Sequence, residues 1–354
     1  MYARVEFTQI LQPQAQVPQR LSHNLPQLRV AGNRIINAET QESVILRGIN
    51  LSGLEYSSPE GLGSLAKARI SETAVTEIIE KWNANVIRLP FNQYWAIERP
   101  GYDPKPYRDA LEAVIEMAAV RGAYTILDLH WLDARTPRGT VAGRPNYVAP
   151  LPNLDSIIVW RQLAEAWRDE TAIIYDIFNE PHDPLPDDPE PVLGIRSDCS
   201  TFTLQTREIG PKEWQPWARQ LVSAVREKNP DALIFVPGTN WAYDLRDCVL
   251  PDIRDVVYST HVYVSKCDDW GSTFGHLAES VPVFAGEWGG RADDLDWGLT
   301  LASYFEDRGM GWTAWSWSDE PRLIEYPPQP PYDSTVFGTL VRDLLRAGPR
   351  LEAP

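Results

Sequence analysis

Residues 85–130, NVIRLPFNQYWAIERPGYDPKPYRDALEAVIEMAAVRGAYTILDLH, hold the pattern on which the fold turns. An apolar run rich in β-branched residues (Asn85–Pro90) leads through a polar stretch to a run of helical period (Tyr107–Arg121) and a second apolar run (Tyr124–His130). The same cycle recurs from about residue 44, eight times in all. The other strand candidates are Val44–Asn50, Ala172–Asn179, Ala232–Pro237, Val256–Val264, Pro282–Glu287 and Met310–Trp317, and further helical stretches cover Ser71–Ala84, Ile157–Asp169, Glu213–Lys228 and Asp294–Arg308. The fifth and sixth crossovers carry the weakest helical pattern. Strands that are apolar on both faces and alternate with helices belong to a parallel sheet covered on each side, and eight repeats suit closure into a (β/α)8 barrel. A doubly wound sheet is the competing fold, but no GxGxxG follows the first strand.

The rest of the chain fits around that barrel. Leu28–Leu46 reads as two short strands about a turn, a β-hairpin expected to plug the N-terminal end. Residues 1–27, rich in Gln and Pro, read as a tail ahead of one catalytic barrel domain over 28–354. Links from helix to strand are short, whereas Trp131–Ser156, Pro181–Lys212 and Ser318–Tyr332 run long after strands. Long loops at the C-terminal face of a barrel are where a cleft is built.

Composition narrows the chemistry. Among 354 residues, 33 Lys and Arg face 49 Asp and Glu, a formal charge of −16 with no basic stripe, so nucleic acid is an unsuitable partner. Fourteen Trp supply either core volume or platforms for flat ligands. No run approaches 18 apolar residues, so no membrane span is expected. Five His without HxH or HExxH, and three Cys without CxxC, leave no metal motif and point to no cofactor. Cys248 and Cys267 bracket the sixth strand and are expected to pair in a disulfide, with Cys199 distant on an insertion.

Polar residues gather at the strand ends, where they face the cleft: Arg88, His130, Asn179 with Glu180, His261 with Tyr263, Glu287 and Trp315. Glu180 precedes Pro181, which ends the strand and holds the carboxylate at the rim. Glu287 lies in AGEWGG, where small neighbours admit close approach. The two glutamates end the fourth and seventh strands and can face each other across a gap, as cleavage of a glycosidic bond requires of an acid/base and a nucleophile. His261 and Tyr263 share a strand face. The Tyr hydroxyl and Arg88 are suited to keep one carboxylate ionised, while apolar walls would raise the pKa of Glu180.

RGIN, NVIRLP, LDLHW, IYDIFNEPH, STHVYV, VFAGEWG and GWTAWSWSD, in this order over residues 28–345, resemble glycoside hydrolase family 5, the cellulase family. The resemblance implies a retaining mechanism with Glu180 as acid/base and Glu287 as nucleophile. It also implies that Asn179 binds the sugar 2-hydroxyl, that Arg88 and Tyr263 hold Glu287, and that His130 and His261 contact substrate or Glu180. Trp315 would lie under the scissile sugar and Trp241 on the leaving-group side, with Trp131 and Trp95 as further candidate platforms. The expected partner is a β-glucan polysaccharide or oligosaccharide, cut internally at β-1,4 bonds by a monomer. Mannan, xyloglucan, β-1,3-glucan and glycolipid stay open, because the insertion over 182–210 and the Pro-rich YPPQPPYD depart from the simplest members. The substrate class suggests an extracellular enzyme, although MYARVEFTQILQPQAQVPQR shows no basic stretch followed by an apolar one. The rival from another class is a non-catalytic carbohydrate-binding barrel, which has no need of both glutamates. A serine hydrolase lacks its GxSxG.

Overall fold

The computed structural model describes residues 25–133, 140–141, 144–145, 148–184, 193–195, 200–203 and 208–348. Eight parallel strands close into a barrel: β1 Arg47–Asn50, β2 Val86–Asn92, β3 Tyr124–Trp131, β4 Ile173–Asp176, β5 Ile234–Pro237, β6 Val256–Tyr263, β7 Val283–Gly289 and β8 Gly311–Ala314. Each pairs with its neighbour in sequence, and β8 closes the ring on β1 through Trp312↔Arg47 and Ala314↔Ile49. All eight expected strands are present, most of them trimmed or extended at their ends.

Alternation along each strand divides the side chains between two cores. In β2, Ile87 and Leu89 turn outward into the large core shared with the helices, while Val86 turns into the lumen. The lower lumen is filled by Leu46, Val86, Tyr124, Ile126, Ile174, Leu233, Phe235, Val257 and Phe284, and the rings of Phe235 and Phe284 meet at 4.9 Å. Burying each such side chain contributes about 1.5–3 kcal/mol. The hairpin Leu28–Ala31 and Arg34–Asn37 seals this end with Leu28 and Ile35, as the sequence predicts. It is pinned by Val30 N–H donating to Asp255 Oδ1 (2.9 Å) and by Arg29 pairing with Asp231 (2.7 Å). Of the tail, Leu25 and Pro26 dock through carbonyls that accept from Thr171 and Tyr124. Residues 1–24 lie outside the described residues.

The helices Lys105–Ala119, Leu154–Ala166, Pro211–Arg226 and Leu295–Glu306 lie within a few residues of their expected places. Their starts are written in local chemistry: Asn153 and Ser156 form a capping box, and Pro211 occupies the first turn, where its missing N–H costs nothing. The expected Ser71–Ala84 helix forms as Glu72–Thr76 and then widens into a π turn over Glu77–Lys81. No named helix fills the fifth crossover: residues 238–244 instead make tight turns through the bridges Gly238↔Ala242 and Thr239↔Asp244. The sixth holds only Trp270–Thr273 and a 3-10 turn over Gly275–Glu279. Among the described residues no helix is long and apolar enough to cross a membrane.

The expected Cys248–Cys267 disulfide is not formed. Cys248 is buried beneath the turn after β5, its thiol against Asp244 O (3.5 Å), whereas Cys267 is exposed on the loop after β6. The two bracket a strand in sequence, yet one faces the core and the other solvent. Cys199 and most of the insertion lie outside the described residues.

Candidate active site

Two residues beyond three of the apolar plug positions, the same strands turn charged. Val86 is followed by Arg88, Ile126 by Asp128 and Ile174 by Asp176, all three fully buried. The Arg88 guanidinium spends its donors on this ring. Nε donates to Asp176 Oδ2, Nη1 to Asn50 Oδ1 and Glu287 Oε1, and Nη2 to Asn179 Oδ1, each at 2.9 Å. Asp128 Oδ1 lies 3.1 Å from Nη2. Burial raises the Asp128 and Asp176 carboxyls, and the Arg88 charge opposes that rise.

Glu287, on β7, accepts from Arg88 on one oxygen and from the Tyr263 hydroxyl on the other (2.7 Å). Its close surroundings depend on Gly286, where an added Cβ would sit 2.5 Å from Ser259 Oγ and 2.8 Å from His261 Nε2. Register shifts in β6 at Thr260/His261 and in β7 between Ala285 and Trp288 re-aim both strand ends at the cleft.

Glu180 follows β4 at the rim, its side chain 17% exposed. Its Oε1 lies 2.9 Å from His261 Nδ1, and that nitrogen is 3.7 Å from Glu287 Oε2. One oxygen of each glutamate and a ring nitrogen of His261 lie within 4.8 Å of one another. Burial raises the Glu180 pKa against the lowering charges of Lys266 and Arg88. Burial likewise pushes His261 down to about 3 and His130 to about 4, so both imidazoles are neutral at neutral pH. Among the described residues this trio is the one cluster whose donor atoms approach closely enough to share a cation. Both Glu287 oxygens and Glu180 Oε1 are already in hydrogen bonds.

Aromatic surfaces flank the pair. Trp315, half-buried after β8, stacks on His130 with centroids 5.4 Å apart and planes at 15°. Trp131 lies beside His130 and Tyr56. On the Glu180 side, Trp241 lies flat on His182 (3.6 Å, 12°), held by its N–H to Pro181 O (2.9 Å) in a left-handed run with Asn240 and Ala242. Trp95 is not a platform: it is buried against Tyr107 in the outer core. The structure thus brings together Arg88, Asn179, Glu180, His261, Tyr263 and Glu287, with His130, Trp131, Trp315 and Trp241 around them.

Several cleft residues lie outside the sequence reading. Asn50 ends β1 within RGIN, while Asp128 and Asp176 sit inside motifs taken for apolar strand. A charge inside an otherwise apolar parallel strand was the available signal. Tyr56 donates to both oxygens of Asp319, and Lys266 reaches Asn240 O at 3.1 Å beside Trp241; neither pair stands at a strand end.

A family model described as Cellulase (glycosyl hydrolase family 5) matches residues 37–321. Endoglucanase MaCel5A of Microbulbifer sp. (strain ALW1) is 26% identical over 83% of this chain and 52% of its own length. Endoglucanase E-5 of Thermobifida fusca is 24% identical over 83% of the chain and 56% of its length. The chain therefore spans about half the length of these curated relatives. Among solved structures, β-glucanase SdGluc5_26A from Saccharophagus degradans aligns with a TM-score of 0.70 at 18% identity, covering 95% of this chain and 99% of that one. The catalytic domain of Thermobifida fusca endoglucanase Cel5A aligns at 0.67 and 21%, covering 90% and 97%. These structures share the barrel, and with the family model spanning most of its length, the chain belongs to glycosyl hydrolase family 5, the cellulase family.

Proposed function

We propose that this chain is a retaining endo-glucanase that cuts internal β-1,4-glucosidic bonds, with Glu180 as acid/base and Glu287 as nucleophile. The observation that carries the reading is that one oxygen of Glu180 and one of Glu287 lie within 4.8 Å of each other, a close approach that suits the short carboxyl separation of a retaining pair. Retaining enzymes hold their carboxyls at about 5–5.5 Å, whereas inverting ones need about 6.5–9.5 Å to seat a water.

A raised pKa keeps the Glu180 proton available for the glycosidic oxygen as that bond breaks. Glu287, oriented by Arg88 and Tyr263, attacks the anomeric carbon and forms a glycosyl ester. Glu180, now a carboxylate, then takes a proton from the water that releases the sugar. Asn179 turns its amide oxygen to Arg88, which directs its NH2 away from the guanidinium, toward a 2-hydroxyl. Trp315 and Trp241 offer flat faces to neighbouring sugars, so stacking rather than charge binds a neutral glucan. Solved relatives from Saccharophagus degradans and Thermobifida fusca are described in complex with cellotetraose, which favours a β-1,4-glucan here.

A panel of soluble β-glucans and mannan, read by reducing ends and viscosity, tests this. Viscosity of substituted cellulose should fall faster than sugar ends appear. Cleavage of mannan alone, or release of terminal sugars only, would replace the substrate assignment. A 2-deoxy-2-fluoro glycoside should label Glu287, and labelling elsewhere would overturn its role.

A further inference from the structure

We propose that Asp128 is a positioning residue that holds the His130 proton on Nδ1, so that Nε2 meets the bound sugar as a hydrogen-bond acceptor. The proposal rests on the glycan-cleaving reading of the cleft. Asp128 and His130 are two apart on β3 and face the same way, with Asp128 fully buried and His130 at the cleft floor. Asp128 Oδ2 lies 2.6 Å from His130 Nδ1. Arg88, 3.1 Å away, opposes the burial that raises this carboxyl; with Asp128 held ionised it can only accept, so the proton belongs to the ring nitrogen, and a neutral imidazole with Nδ1–H presents a bare Nε2.

Asp128 exceeds what Arg88 requires. One guanidinium already holds Asp176 and Glu287 through aligned hydrogen bonds. The Asp128 oxygen nearest Arg88 is 3.1 Å away without hydrogen-bond alignment. A third buried carboxylate beside one cation is costly to desolvate, and its short bond goes to His130 instead. That bond also fixes the ring plane, which lies nearly parallel to Trp315. Asp128 thereby sets both the angle and the polarity of the surface on which a sugar would rest.

Asp128→Asn gives a test, because one amide oxygen cannot accept from both neighbours. The charged guanidinium is the stronger donor and should claim it, turning the amide NH2 toward His130 Nδ1 and moving the histidine proton to Nε2. Nitrogen-15 spectra of histidine-labelled, substrate-free protein, with His130 assigned from its loss in His130→Ala, should show Nδ1–H in the wild type and Nε2–H in Asp128→Asn. On the substrate the wild type cleaves best, kcat/KM should fall about 10- to 100-fold, the scale known for carboxylates that orient metal-ligating histidines. In a His130→Ala background the same change should cost less than about 2-fold, since neighbouring effects are non-additive when one residue acts through the other. Nε2–H in the wild type overturns the proposal, even where Asp128→Asn fails to fold. So does an undiminished loss in the His130→Ala background, which would make Asp128 a support for Arg88. The spectra involve no substrate. Failure of every glycan in the panel with Nδ1–H intact would therefore count against the functional reading and not against this one.

Discussion

The lower and upper halves of the barrel lumen are built by the same strands and obey opposite rules. Below, Val86, Ile126, Ile174, Phe235 and Phe284 pack into an apolar plug sealed by the hairpin. One inward step higher, Arg88, Asp128 and Asp176 replace them, with Asn50, His261 and Glu287 alongside. The plug is stabilised by removing area from water. The ring above survives burial only because nearly every charge meets a partner. Stability and chemistry are therefore separated by about two residues of strand, and changes on either side should have different signatures.

The sharpest test of the separation is Glu287→Gln. It should cut turnover by roughly 10³-fold or more, as loss of a nucleophile does, with little change in Tm. Retained turnover would make Glu287 a structural partner of Arg88. Next is Glu180→Ala, expected to lower kcat on natural glucans by about 10²–10⁴-fold while activated aryl glycosides still form the intermediate. Equal losses on both would remove it from the acid role. As the acid this group would act while protonated, so activity should decline as pH rises through its pKa. Burial raises that pKa, and the alkaline limb should lie above the ordinary carboxyl range and move when Glu180 is replaced.

Phe235→Ala probes the lower half. It should cost about 3–5 kcal/mol of stability and leave kcat unchanged well below the melting temperature. A fall in kcat there would show that the two halves are coupled. Gly286→Ala attacks the boundary: its Cβ would press on Ser259 and His261, costing about 1–3 kcal/mol and moving His261 from Glu180. Calorimetry and a pH–rate profile measured together would separate the two effects. The smallest effect belongs to the cysteines. A thiol reagent should label exposed Cys267 in the folded protein, and Cys248, its pKa pushed up to about 12 by burial, only on unfolding, with activity intact. Protection of both under non-reducing conditions would restore the disulfide.

By itself the chain determined the eight strands, the order in which they recur, and the polar residues that gather near their ends. Apolar runs need burial, and a polar group past the end of a buried strand has only the rim to occupy. Which residues face one another was decided by closure alone. LDLH alternates and so puts Asp128 and His130 on one face, but in a strand covered on both sides nothing local says that this face turns inward while Leu127 and Leu129 turn out. The same open choice of face hid Asp176 and Asn50 around Arg88. Trp95 and Cys248 followed the outer core inward for a similar reason: the depth of a loop residue depends on the elements packed over it, and those are distant in sequence.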